Sequence, residues 1–257
     1  MISNFSKLSA IATVCAVIST APALAQGSSS IPGSFSANVA LTSEYLFRGL
    51  SQTDDAPAIQ GGFDYEVEVI KPASLYLGVW GSNVDFNEGS SDNATIEIDY
   101  YGGLKGSYAD TGFSWDAGFI YYSYPGVSSG RDYDFWELQA ALGYDFGVAA
   151  VTASINYSPE NFGKSGEAYY PKFAVDVPIP GVKGLALSVY VAKQFIEDVS
   201  AFGTNDYVEW NFGATYNVAD LFDVSLNYSD TDVSPASDGN DEAVLLTVSR
   251  QFLRGAA

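Results

Sequence analysis

From Phe35 onward the chain alternates apolar and polar residues with period two, and this pattern limits it to β-strands with two unlike faces. In the first segment Phe35, Ala37, Val39, Leu41, Tyr45 and Phe47 form one row, and Ser36, Asn38, Thr42, Glu44 and Arg48 form the other. The second segment sets Phe63, Tyr65, Val67 and Val69 against Asp64, Glu66 and Glu68. Ten further segments follow the same rule, over 74–83, 94–108, 112–124, 133–146, 148–158, 167–177, 184–194, 206–217, 221–229 and 242–252. The reading is therefore about twelve strands.

The connections alternate too. After odd strands they are long and polar, as in Gly49–Pro57, Asn83–Asn93, Pro125–Asp132 and Asp230–Asp241. After even strands they are mostly short, as in Lys71–Ala73, Ala109–Thr111 and Gly147. Long loops on one side and tight turns on the other predict an all-β fold, a transmembrane antiparallel up-and-down β-barrel with both termini at the turn side. A soluble sandwich would also alternate. Against it, the polar face is rich in small neutral groups (Ser114, Gly118, Ser154, Asn156, Ser188, Asn227) and poor in Lys. Aromatics also gather towards strand ends: Tyr45 and Phe47, Phe113 and Trp115, Tyr144 and Phe146, Tyr228 and Phe252. In a barrel these form the interfacial girdles. No stretch after the N-terminus is apolar for long enough to make a spanning helix.

Residues 1–25 read as a cleaved secretory signal: Lys7, an apolar run from Leu8 to Ile18, then Ala23-Leu24-Ala25. Residues 26–257 then form a single outer-membrane barrel domain. The chain has no His, and its one Cys and one Met are Cys15 and Met1, so the exported part lacks all three types. This excludes His- or Cys-based catalysis, the usual zinc and iron–sulfur sites, and disulfides. Loss of Lys7 deepens the net charge from −20 to −21, and acidity of that size argues against nucleic acid as a partner. A carboxylate-only enzyme is disfavoured, because acids two apart on a strand, such as Glu66/Glu68, merely share a face. No catalytic residue, metal site or cofactor is expected.

If the apolar rows meet lipid, the complementary rows line a lumen. Twelve acids fall there: Glu44, Asp64, Glu66, Glu68, Glu97, Asp99, Asp116, Glu137, Asp145, Asp176, Glu209 and Asp223. The bases are Arg48, Lys105 and Lys172. Such a face either solvates a wet interior and pairs across strands, or favours cations over anions. Arg48 either neutralises Glu44 or Asp64, or forms a constriction. Twelve strands lie between filled eight-stranded barrels and open porins of 16–18, so side chains such as Tyr122 and Phe135 could also block the lumen. The acidic loops Asp85–Asp92 and Asp230–Glu242 are oxygen-rich but lack EF-hand spacing.

The runs Val39–Thr53 and Asp54–Tyr65 resemble the opening signature of the TorF-type (Gcw_chp) porin family of proteobacterial outer-membrane proteins. Further resemblance lies in Leu77–Phe86, Ile96–Gly103 and Tyr121–Gly126. It implies an outer-membrane barrel and a pore, with no particular solute. Residues Leu253–Ala257 depart from the pattern by trailing beyond Phe252, where barrels commonly end. The expected function is passive diffusion of small solutes or ions, with cations preferred. The competing expectation is a non-conducting structural or adhesive barrel that binds partners through its long loops. Expected partners are outer-membrane lipid, lipopolysaccharide and the solutes; the oligomeric state stays open.

Overall fold

The computed structural model describes residues 32–86, 94–108, 111–128, 130–233 and 242–254. Its strands are β1 (Ser34–Thr42), β2 (Leu46–Phe47), β3 (Leu50–Ser51), β4 (Ala58–Ile70), β5 (Ala73–Asn83), β6 (Ile96–Tyr108) and β7 (Phe113–Ser123). They continue as β8 (Phe135–Asp145), β9 (Ala150–Ser158), β10 (Ala168–Pro178), β11 (Leu185–Ile196), β12 (Tyr207–Val218), β13 (Phe222–Thr231) and β14 (Ala243–Arg254). β1 and β4 to β14 pair in chain order, and β14 returns to β1, so twelve strands close a barrel. The pair β2–β3 stands apart as a two-stranded sheet.

Closure leaves no barrel strand with an unpaired edge. At the seam β1 and β14 run antiparallel from Phe35↔Arg254 to Thr42↔Thr247. Thr247 Oγ1 donates to Thr42 Oγ1 at 2.9 Å, and the Leu246 amide donates to Ser43 Oγ at 3.0 Å, just past the end of β1. The ladder therefore uses Leu253 and Arg254, two residues beyond the Phe252 end read from the sequence.

The outward rows are apolar over most of their height, with Lys193 near the loop end of β11 and Arg250 near the turn end of β14 lying over outward Phe195 and Phe252. Phe63 is 69% exposed, Phe212 55% and Leu138 49%, and they lie on strands whose inward neighbours are Asp64, Asn211 and Glu137. In water an apolar surface of this extent would drive association; in hydrocarbon it is the solvated face. Hydrocarbon offers backbone groups no hydrogen-bond partner, and the closed ladder satisfies them internally. The fold is a transmembrane antiparallel β-barrel.

Outward Phe113, Tyr144, Phe146 and Phe252 lie near the turn end, and outward Trp210 and Tyr228 near the loop end. Tyr45 and Phe47 do not belong to either girdle. β1 ends at Thr42, and the chain from Ser43 to Pro57 folds inward, burying Tyr45 and packing Phe47 against the lumen core. A physical reason lies in Ser43, which falls on the apolar row, where hydrocarbon would leave its hydroxyl without a partner.

Candidate functional site in the lumen

The inward-folded segment makes the site. Leu46↔Ser51 and Phe47↔Leu50 pair as β2 and β3, leaving Arg48 and Gly49 as the two turn residues. Both have positive φ, +52° and +79°, as a tight two-residue hairpin of right-handed twist requires. Glycine accepts this freely; arginine at such a φ costs about 1–3 kcal/mol. The position of Gly49 has a second demand, because a Cβ there would come within 2.4 Å of Thr231 Cγ2 on β13.

The strain at Arg48 is offset by what its side chain reaches. Arg48 Nη2 donates to both oxygens of Glu137 on β8, at 2.7 and 2.6 Å, and Nη1 donates to Gln194 Oε1 on β11 at 2.8 Å. The guanidinium carbon lies 4.3 Å from the Tyr170 ring centroid and 4.8 Å from that of Phe47. Tyr207 Oη donates to the Arg48 carbonyl at 2.9 Å. Arg48 is 4% exposed and Glu137 1%. A buried pair of this kind is net favourable only when further hydrogen bonds complete it. Here Tyr122 and Asn156 also donate to Glu137 Oε2, at 3.2 and 3.0 Å. Arg48 thus pairs with neither Glu44 nor Asp64, the partners expected from neighbouring positions. Its carboxylate lies 89 residues away across the lumen.

Around this tip the loop end is filled. Tyr45 Oη donates to Glu97 Oε1 on β6 at 2.7 Å, and Tyr124 hydrogen-bonds the same carboxylate. Tyr45 packs edge-on to Trp80, with centroids 5.5 Å apart. Tyr122 and Phe135 stack at 4.4 Å, and Phe47 packs edge-on to both. Above them Phe86, Tyr124, Tyr133 and Phe162 form a second aromatic tier, with Tyr133 and Phe162 stacked at 4.5 Å. On the opposite wall Leu50 and Phe202 pack against Ile196, Tyr207 and Val233. Phe202 belongs to α1 (Val199–Phe202), which is capped by Asp198. The amide and hydroxyl hydrogen bonds of that cap hold the exposed Asp198 carboxyl below its ordinary value.

The inward residues read from the sequence divide by height. Glu97, Asp99, Glu137 and Glu209 lie in the filled half, where Tyr170 donates to Glu209 Oε2 at 2.6 Å and Tyr190 donates to its other oxygen. Asp116, lower on β7, accepts from Tyr76 Oη at 2.9 Å. Asp64 accepts from Tyr101, Glu66 pairs with Lys105 at 2.8 Å, and Lys172 lies over the Tyr190 ring. Asp223 is buried near the turn end and accepts from Asn217 at 2.7 Å. Asp176 is half-buried, and Glu68 is exposed at the turn rim. Asp145 caps the turn after β8, accepting from the Gly147 amide at 2.7 Å. Glu44 stands on the inward segment rather than on a barrel strand, and its partial burial raises its carboxyl above the ordinary range.

Among the described residues no group of three or more His, Cys, Asp or Glu side chains is placed to hold a metal ion. Most of the oxygen-rich loop stretches, residues 87–93 and 234–241, lies outside the described residues, as does the expected signal segment.

No curated protein matches the chain. Among solved structures, the COG4313 outer membrane channel from Pseudomonas putida F1 superposes with a TM-score of 0.54 at 10% identity, covering 88% of this chain and 97% of that one. A KdgM porin in complex with disordered oligogalacturonate gives 0.50 at 8% identity, covering 85% and 98%. At these identities the likeness is one of fold. A sequence-family profile, described as a bacterial protein of unknown function (Gcw_chp), matches residues 25–252. The chain is therefore a member of the Gcw_chp family.

Proposed function

We propose that this protein is a porin-like channel of the bacterial outer membrane, passing small solutes or ions by diffusion and preferring cations. It reaches that membrane after removal of residues 1–25, where lipid and lipopolysaccharide surround it, and it corresponds to the TorF-type porins its signature resembles. The reading is supported by an apolar outer face together with inward strand positions on which acids, among them Asp64, Glu66, Asp116, Glu137 and Glu209, outnumber the bases Lys105 and Lys172. Carboxylates in a narrow, low-dielectric passage lower the energy of cations and raise that of anions. The channel and porin of similar fold support the transport class, not the solute.

The filled loop half favours a second reading, a barrel closed at rest or used through its loops. Planar-bilayer recording separates the two. The channel reading expects discrete conductance steps and a reversal potential of cation-selective sign in a potassium chloride gradient. Anion preference overturns the selectivity, and a silent bilayer with correctly folded protein supports the non-conducting barrel.

A further inference from the structure

Among the described residues, two carboxylate oxygens in the filled half have no hydrogen-bond partner: Glu97 Oε2 and Asp99 Oδ1, both shielded from solvent. The residues stand two apart on β6 and share its inward face; Glu97 is 1% exposed and Asp99 8%. Their cross-strand neighbours on β5 are Ser82 and Trp80, both buried. The charged groups bearing on Asp99 are Glu97 and Glu137, which are themselves acidic. The nearby base, Arg48, is committed to Glu137. An ionised carboxylate buried without a counter-charge costs several kcal/mol, so this pair is met either by protons or by a bound cation.

We infer that Glu97 and Asp99 form a binding site for one hard divalent cation of the calcium or magnesium class. Glu97 accepts from Tyr45 at Oε1 and hydrogen-bonds Tyr124, and its Oε2 has no partner by hydrogen-bond geometry among the described residues. Asp99 contributes a second free oxygen, and two carboxylates match the ion's charge. Oxygen donors suit a hard cation, and an ion held by two carboxylates completes its shell with water. Trp80, opposite Asp99 in the β5–β6 register, carries an indole N–H that is also buried and without a partner among the described residues. The site joins β6 to the inward segment through Tyr45, so the ion would fasten the hairpin in the lumen. This goes beyond the channel reading and stands or falls independently of it.

Terbium is the probe, because it replaces calcium at oxygen sites and is excited by nearby Trp and Tyr rings. The barrel is refolded with terbium, and emission excited through the aromatics is followed while calcium, and separately magnesium, is added. The site predicts emission that the divalent ions displace and that Glu97→Gln/Asp99→Asn loses. Trp80→Phe should keep a folded barrel with weaker emission. Folding is checked by heat-modifiable gel migration; if the double variant misfolds, Asp99→Asn alone is read in the same way. Absence of displaceable emission in the wild type overturns the site, as a shared proton between the two acids would require. Undiminished emission in the carboxylate variant or in Trp80→Phe also overturns it, assigning the ion to the loops. Binding with anion-selective conductance would retain the site and overturn the selectivity reading.

Discussion

The two halves of the lumen are built from the same alternating strands but differ in what occupies them. At the loop end the inward rows meet a hairpin, and aromatic and charged groups pack to near-complete burial: Arg48, Glu97, Glu137, Tyr170, Tyr207 and Glu209 are each at most 4% exposed. At the turn end the inward rows meet small residues (Ser114, Gly143, Ser154, Ser188), and Glu66 and Lys105 keep 40% and 26% of their side-chain surface. The strand pattern thus specifies the wall, whereas a fifteen-residue segment outside it, 43–57, specifies the passage. In the loop half charge is packed into the filling, as Arg48 against Glu137 shows; in the turn half Glu66 and Lys105 keep part of their surface open, although Asp116 and Asp223 there are buried too.

The largest expected effect comes from removing the tip of the hairpin. Arg48→Ala leaves Glu137 buried without its cation, a loss of about 3–5 kcal/mol when one member of such a pair is deleted. The barrel has its own closed ladder, so the loss falls on the seated hairpin. Single-channel recording should show larger and more frequent openings, and an unchanged record would mean the hairpin is not the constriction. Gly49→Ala should act in the same direction more weakly. It adds a methyl group against Thr231 and a strained φ worth about 1–3 kcal/mol. Hydrogen exchange at Leu46–Ser51 would report the loosening.

In the turn half, Asp64→Asn with Asp176→Asn should lower the cation preference in reversal-potential measurements while leaving the hairpin seated. An equal shift from substitutions in both halves would break the distinction between them. The smallest effect is one of pH. Burial raises the Glu44 carboxyl, so the seated segment favours its neutral form. The cost of charging it is fully present above that raised value and is relieved as pH falls through it towards the ordinary 4.5. Openings should become rarer over that acid window, and Glu44→Gln should remove this part of the dependence.

Much of the wall was legible in the sequence. Period two along Phe63–Val69 or Phe222–Tyr228 decides both the strand and its faces, because a one-residue slip would turn every charge into lipid. The division into long loops and short turns came from local residues as well. The hairpin was not legible in the same way. Tyr45, Phe47 and Arg48 keep the parity of β1 past its end, and parity alone cannot tell a strand that continues from a segment that folds inward. The clues were Ser43 on the apolar row and the Arg48-Gly49 pair, which suits a tight turn. The identity of the partners was beyond reach, since Glu137, Gln194 and Tyr207 lie 89, 146 and 159 residues from Arg48. Tyr122 and Phe135, read as residues able to block the lumen, stack beside Phe47 in the filled half.

The most direct test of the unequal lumen uses the chain's lack of cysteine after residue 25. In a barrel beginning at Gln26, Ser188→Cys on the turn half and Ser82→Cys on the loop half each introduce one thiol into the lumen. Their reaction rates with a small, charged, water-soluble thiosulfonate are compared, with and without Arg48→Ala. The account predicts fast labelling at position 188 and slow labelling at position 82, where the native side chain is 3% exposed, with Arg48→Ala accelerating position 82 alone. Equal rates at the two positions, or a rate at position 82 indifferent to Arg48, would contradict it.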